Sequence, residues 1–191
     1  MAEGRLFYLI GPSGSGKDSL MRCAREQLAG NPAILFARRY ITRPQDAAGE
    51  NHIALSEAEF DARLAAGLFV MHWRSHGLRY GIGQEISSWL AQGCNVVMNG
   101  SREYLAQARQ RFPELVAVMI SVSPEVLAER LHRRGRESER QIAERLERAA
   151  LFNPLATADD MPLQEIQNDY DLAAAAAQLI TLVTVSGNIR T

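Results

Sequence analysis

Residues 5–20 read RLFYLIGPSGSGKDSL. Leu6 to Ile10 are apolar without a break, the pattern of a strand buried on both faces of a parallel sheet. Gly11 to Lys17 then match the phosphate-cradling pattern G-x-x-x-x-G-K-[ST] at every fixed position but the last, where Asp18 stands. A helical pattern follows until Gly30, Asn31 and Pro32 end it. A strand, a glycine turn and a helix, in that order, form the context in which such a loop holds phosphate. The glycines let the backbone turn tightly, and successive N–H groups point at an anion beside the positive end of the helix. Gly11, Pro12, Ser13, Gly14, Ser15, Gly16, Lys17, Asp18 and Ser19 are therefore candidate nucleotide contacts, with Lys17 reaching the β- and γ-phosphates. A plain helix entry with a surface lysine leaves Gly11, Gly14 and Gly16 unexplained. The usual Ser/Thr after the lysine is a ligand of the Mg²⁺ that travels with the nucleotide, so Asp18 becomes the candidate metal ligand, directly or through water. Ser19 suits that role less, because the next helical residue points about 100° away.

Working outward, short apolar runs recur at AILFARRY, GLFVMHW, GCNVVMNG and ELVAVMISV, with helical patterns such as SEAEFDARLAAG and SREYLAQARQRF between them. This alternation predicts a parallel α/β sheet. Ser56 with Glu59 spells a capping box, and Ser123 followed by Pro124 marks another helix start. The stretch from Pro124 to Phe152 reads as two helices broken near Gly135, and Asp171 onward as a closing helix. The chain has 191 residues, 47% of them hydrophobic, which is enough for one substantial core and too little for a second full domain. A net charge of -1 gives no overall drive toward nucleic acid or anionic membrane, so anion binding must come from local arginine clusters. Cys23 and Cys94 are too few for a disulfide framework or a zinc site and are expected to be buried free thiols. The apolar run near the N-terminus is too short for a signal peptide or a membrane span, and a soluble cytoplasmic protein is expected.

The chain resembles the guanylate kinases over nearly its whole length. The likeness rests on GPSGSGKDSL, on RYITRP, LSEAEFDARLAAGLFV and GLRYGI, on RLHRRGRESERQIAERLERA, and on QNDYD near the end. Within that group it is most similar to the ribose 1,5-bisphosphate phosphokinases of bacterial phosphonate breakdown, through GPSGSGKDSL, RYITR, ENHIALSE, NGSR and RGRE. The resemblance implies an α/β, three-layer P-loop kinase with a central, mostly parallel sheet. It further implies a small acceptor-binding region, roughly 36–82, and an arginine-rich helical lid, roughly 130–148, within one domain spanning 1–191.

The departures from guanylate kinase fall in the acceptor pocket. By resemblance Arg43 matches the first phosphate-gripping arginine, while the second falls at Asp46. The guanine-side serine, tyrosine and glutamate fall at Arg39, His52 and Met71, and two acidic positions become Asn99 and Ser101. Carboxylates that would accept from guanine N–H groups are expected to be missing, which disfavours GMP. Tyr80 matches a family tyrosine that lines the acceptor site; a core tyrosine is the plain alternative. Asn99 and Ser101 lie just past a predicted strand's carboxyl end, where open α/β sheets bind ligands. Arg38, Arg39, Arg43, Arg79 and Arg102 are candidate phosphate partners, because a guanidinium fork fits phosphate oxygens.

Seven arginines lie between Arg130 and Arg148. By resemblance Arg134 and Arg145 close on the transferring phosphoryl group and join Lys17 as catalytic residues; Arg130, Arg140 and Arg148 are read as solvated, in Glu–Arg pairs. Asn168 and Asp169 match family positions near the adenine, or else cap the last helix. His72 and His76 lack the glutamate and the shared helix face of a zinc-protease motif. The resemblance thus implies transfer of the ATP γ-phosphate, with Mg²⁺, to ribose 1,5-bisphosphate, forming 5-phospho-α-D-ribose 1-diphosphate. Expected partners are that small phosphorylated sugar and no nucleic acid or membrane, in a monomer or a homodimer. A nucleoside monophosphate kinase and a catalytically inactive binding module are the rival readings.

Overall fold

A computed structural model describes residues 3–44, 50–135, 138–150 and 163–185, without the side chains of Arg134 and Arg148. Five parallel strands form the central sheet in the order β2-β7-β1-β8-β9, where β1 is Leu6–Ile10, β2 Ile34–Phe36, β7 Asn95–Asn99, β8 Val116–Ser121 and β9 Leu163–Gln167. All five residues of β1 are buried. Leu6, Tyr8 and Ile10 enter one core and Phe7 and Leu9 the other, on opposite faces of the sheet. Period-two alternation between two apolar cores is why this strand reads as an unbroken hydrophobic run.

Helix α1 (Lys17–Gln27) follows β1 and buries Leu20 and Ala24 in the same core as Leu179 and Val183 of α7 (Leu172–Val185). The other core is closed by α3 (Glu85–Ala91) through Ile86 and Leu90 and by α4 (Leu105–Arg111) through Leu105 and Ala108. Helix, sheet and helix make the three expected layers.

The run GLFVMHW departs from the single parallel sheet. It is β5 (Phe69–Ser75) of a second sheet, ordered β4-β3-β6-β5, with β3 Tyr40–Ile41, β4 Ile53–Ala54 and β6 Leu78–Gly83. β5 pairs antiparallel with β6 through a turn in which His76 has φ 50°. Only half of this strand needs an apolar core: Val70, Met71 and Trp73 are buried while His72 and Arg74 face out. An alternating strand of that kind belongs to an antiparallel sheet wetted on one side. Across it lies α2 (Glu57–Ala65), whose start carries the full capping box, with the Ser56 hydroxyl accepting from the Glu59 N–H and the Glu59 carboxylate accepting from the Ser56 N–H.

Two helices follow β8: α5 (Pro124–Arg134), ended by Gly135 in a left-handed conformation, and α6 (Glu139–Ala150). His132 bridges them, its Nδ1 2.7 Å from the Ala128 carbonyl and its Nε2 3.0 Å from Glu139. Cys23 and Cys94 are free but only half-buried, which corrects the expectation of buried thiols. Among the described residues no helix is long and apolar enough to cross a membrane.

Candidate active site

The carboxyl ends of all five parallel strands converge on one edge. Residues 11–16 leave β1, Ala37 to Arg39 leave β2, Gly100 to Arg102 leave β7, Ser123 leaves β8, and Asn168 and Asp169 leave β9. Beside the central strand the topology reverses, and the crevice there is where an open α/β sheet binds ligands.

The loop after β1 is shaped by its backbone. Gly14 has φ 99° and Gly16 φ 84°, both in the left-handed region that side chains resist. A Cβ on Gly14 would meet Leu127 of α5 at 2.7 Å, and one on Gly16 would meet the Asn168 amide at 2.6 Å. Gly16 is the N-cap of α1 and supplies no side-chain cap, so the first N–H groups of the helix stay available to an anion. Lys17 folds back onto this loop, donating to the carbonyls of Gly11 (2.8 Å) and Pro12 (3.2 Å). Burial pushes its ammonium down to about 8, with the neighbouring Asp18 charge opposing the shift. Lys17 is also the chain's only lysine. Its ammonium is the one strongly hydrated point charge in a protein that otherwise uses guanidinium.

Behind the loop, the Asn168 amide donates to the Ser15 carbonyl at 2.7 Å, and Arg130 donates to the same oxygen at 3.4 Å and to the Asp169 carbonyl. Arg130 was expected to be a solvated Glu–Arg partner; instead it clamps the loop to the end of β9. The visible signal was its place one helical turn before Arg134, on the same face of α5. Asn168 does not cap α7, because Asp171 does, accepting from the Ala174 N–H at 2.9 Å. The Asp169 carboxylate accepts from Ser123 N–H at 2.7 Å and so fixes the start of α5. Arg145 of α6 reaches across to donate to the Ser13 hydroxyl at 2.6 Å. Arg140 makes the expected exposed pair with Glu144. Asp46, Arg136 and the side chains of Arg134 and Arg148 lie outside what is described.

Asp18 and Asn99 meet. The Asn99 amide donates to an Asp18 oxygen at 2.8 Å, and its own oxygen is buried with no partner among the described residues. Leu9 of β1 and Asn99 of β7 stand in register, which delivers Asn99 beside the loop. Asp18 stands in a concave corner reachable by solvent; the protein crowded around it, and next the Glu50 charge, raise its carboxyl above the usual range. The loop holding Ser101 and Arg102 is moored by Tyr8, whose hydroxyl donates to the Ser101 carbonyl and accepts from the Ser101 N–H. Burial drives the Tyr8 phenol pKa far up, which keeps it neutral as both donor and acceptor. Gly100 is required by this approach, since a Cβ there would lie 2.1 Å from the Tyr8 ring.

Glu50 is the site residue that sequence reasoning missed. Its carboxylate takes both arms of the Arg39 guanidinium at 2.5 Å and lies 3.7 Å from Arg43. The guanine-reading positions remain Met71, Asn99 and Ser101, but the pocket is not without acids: Glu50 and Asp18 both line it, the first carried in by a loop whose pairing no periodicity reveals. Arg39 also lies over the Tyr80 ring, 5.0 Å from its centroid, and Tyr80 stacks on Trp73 at 5.4 Å, so Tyr80 joins the core to the pocket wall. His52 is fully buried, with Nδ1 3.0 Å from the Glu50 carbonyl and Nε2 3.0 Å from that of Arg43. It ties Glu50 to Arg43, and both of its ring nitrogens are engaged there. Arg79 is withdrawn from the phosphate candidates, because its guanidinium is held by Glu57 and Asp61 over the Phe60 ring. Met71 is 1% exposed and belongs to the core.

An anion loop on a central parallel strand, an arginine-bearing pair of helices beside it and a cavity of about 170 Å³ alongside define a P-loop phosphotransferase. Residues 3–161 match the family model described as guanylate kinase. The guanylate kinase structure from Anaplasma phagocytophilum superimposes with a TM-score of 0.71 at 16% identity, covering 100% of this chain and 89% of that one, a likeness of fold. The chain is 62% identical over 185 residues to the ribose 1,5-bisphosphate phosphokinase PhnN of Thiobacillus denitrificans, covering 96% of this chain and 95% of the relative. The protein of that name from Desulfomicrobium baculatum is 50% identical, at 96% and 97% coverage. The chain belongs to the guanylate kinase family, in the group formed by these phosphokinases.

Proposed function

We propose that this protein transfers the γ-phosphoryl group of ATP to the 1-phosphate of ribose 1,5-bisphosphate, giving ADP and 5-phospho-α-D-ribose 1-diphosphate. The observation that carries the reading is the cavity beside Asp18. At about 170 Å³ it is smaller than the roughly 300–1,000 Å³ of ordinary ligand pockets, and arginines rim it. Its arginines suit a phosphorylated sugar, and Met71, Asn99 and Ser101 provide no carboxylate to read a guanine. The names of the relatives at 62% and 50% identity support the same acceptor.

In this reading one kinase domain binds the donor on the Gly11–Ser19 loop and the acceptor between α1 and the second sheet. Lys17 leaves the Gly11 and Pro12 carbonyls and holds the β- and γ-phosphates, while Asn168 and Arg130 keep the loop in shape. An oxygen of the acceptor phosphate attacks the γ-phosphorus, the bond to the β-phosphate oxygen breaks, and ADP leaves. Because a phosphate monoester has its second pKa near 6, the nucleophile is already ionised and needs no general base. Arg43 and the Asn99–Arg102 loop hold the acceptor. Arg134 and Arg145, on the helical lid, neutralise charge and exclude water.

Asp18 fits a hard divalent cation, since its carboxylate lines the cavity and only one of its oxygens accepts from the Asn99 amide. Mg²⁺ bound there with ATP would neutralise charge on the β- and γ-phosphates. Asp18→Asn keeps the contact to Asn99 and removes the charge; it should raise the Mg²⁺ needed for half-maximal rate about tenfold or more. An unchanged Mg²⁺ dependence removes Asp18 from that role. The expected setting is the cytoplasm, where Cys23 and Cys94 stay reduced. ADP release measured side by side with ribose 1,5-bisphosphate and with GMP tests the whole reading, and efficient turnover of GMP overturns it.

A further inference from the structure

Arg22 and Arg25 of α1 have no role in the reading so far. They lie three residues apart on α1, the spacing that puts two side chains on one helix face, and both line the cavity that Asp18 also lines. Arg38, on the same wall, donates to the carbonyls of Asn51 and His52, and Arg39 is saturated by Glu50. Arg22 and Arg25 make no ion pair or side-chain hydrogen bond among the described residues. Two arginines left facing one small cavity, beside Arg39 already neutralised by Glu50 and Arg38 engaged by carbonyls, make an anion subsite with a guanidinium fork to spare.

Resting on the reading of a bisphosphorylated acceptor, we infer that Arg22 and Arg25 form a second phosphate subsite that holds the distal 5-phosphate while the 1-phosphate faces Lys17. The helix sets the spacing. At 1.5 Å per residue, Arg22 lies about 6 Å and Arg25 about 10 Å along α1 beyond Asp18. A furanose ring with a phosphate at each end spans a gap of that order. Met21 and Phe36 supply the apolar wall between the two ends, against which a sugar ring can lie without a base to stack. A monophosphate acceptor would leave the two arginines unanswered, so the subsite selects for the second phosphate.

The test pairs a change in the protein with a change in the ligand. Calorimetric titration of ribose 1,5-bisphosphate and ribose 1-phosphate into the wild type and into R22Q/R25Q gives four affinities. The wild type should prefer the bisphosphate by roughly 10- to 100-fold, the scale of hydrogen bonds to a charged group. In the double variant that preference should vanish, with ribose 1-phosphate binding unchanged. In turnover the variant should show a raised KM for the bisphosphate with kcat and the KM for ATP little altered, and R22K/R25K should recover part of the loss. A preference that survives R22Q/R25Q, or a wild type with no preference, overturns the subsite. Arg22 is exposed, so R22Q alone serves the same purpose if the double variant unfolds. The two ideas fail differently: a bisphosphate preference that depends on these arginines, without ADP release from that ligand, would retain the subsite and reject the proposed reaction.

Discussion

The donor side and the acceptor side of this site are built on opposite plans. The proposed donor loop is one stretch, Gly11 to Ser19, that would hold anions with backbone N–H groups whose direction is set by glycine conformation and the start of α1. The acceptor side is assembled from side chains on α1, the ends of β2 and β7, and the loop before β4: Arg22, Arg39, Glu50 and Asn99 share a wall but span 78 positions. A backbone-built site writes itself into consecutive residues, whereas a site built of side chains exists only after folding. One side is therefore fixed by local geometry and the other by tertiary register.

The largest effect should follow from Lys17→Ala, which strikes the single positive side chain on the backbone-built side. We expect kcat to fall roughly 10²- to 10³-fold, the scale for one preorganised electrostatic group, with the acceptor affinity little altered. A pH signature accompanies it. Lys17 is lowered to about 8 in the free protein, against 10.5 when exposed, so the unfolded chain binds more protons between those values. Stability of the ligand-free protein should thus rise as pH passes from about 8 toward 10.5, and Lys17→Met should remove that rise and stabilise the protein at neutral pH. ATP affinity should weaken above pH 8, because the bound phosphates then require a proton to be taken up. Since Lys17 is the only lysine, the rate of acylation at that residue, read by mass spectrometry across pH, reports its titration directly. A midpoint near 10.5 would break the contrast, leaving the loop lysine an ordinary exposed one.

The same contrast explains what was legible in the sequence. The strand–loop–helix at Leu6–Gln27, the capping box at Ser56 and the helix break at Gly135 depend on neighbouring residues, and all three are present as read. The second sheet was not separated from the first, because Leu68 to Met71 are apolar without a break and the alternation that marks β5 as antiparallel begins only at His72. Arg79 was indistinguishable from a phosphate ligand until Glu57 and Asp61 of α2 were seen to hold it. Arg130 and Glu50 were passed over for the converse reason, since their partners lie 39 and 11 residues away in loops without period. Asp18 stood out from the pattern, yet only the register of β1 with β7 supplied Asn99 as its partner.

Glu50→Gln sharpens the acceptor half. The Glu50 carboxylate is 12% exposed and Arg39 13%, so the pair is sheltered, whereas Arg43 at 39% is more open and makes only a longer, 3.7 Å contact with Glu50. Loss of the bidentate contact should let Arg39 leave the Tyr80 ring and raise the acceptor KM about tenfold, with kcat and the ATP KM nearly constant. A lower acceptor KM would instead mark Glu50 as a competitor for the arginines that phosphate must displace. The substitution also removes a charge that raises the Asp18 carboxyl, so that carboxyl should titrate lower than in the wild type.

The smallest effect should come from Ser56→Ala, which touches the acceptor region's scaffold without touching its pocket. The Ser56 hydroxyl accepts from the Glu59 N–H at 3.2 Å, and the Glu59 carboxylate returns to the Ser56 N–H at 2.8 Å. Loss of an N-cap costs about 1 kcal/mol, or a fall in Tm of roughly 2–4 °C for a chain of this size. Helix α2 holds Arg79 through Glu57 and Asp61, and Arg79 receives its backbone partner from Thr42 beside Arg43. If the acceptor side is fixed by tertiary register, fraying the first turn of α2 should leave acceptor KM within about twofold, because Arg79 stays clamped by Thr42 and by its stacking on Phe60. A KM that rises in step with the lost stability would instead mean that the capping box, a feature read from four consecutive residues, reaches into the pocket, and the division between a locally written donor side and a folded acceptor side would fail at that point.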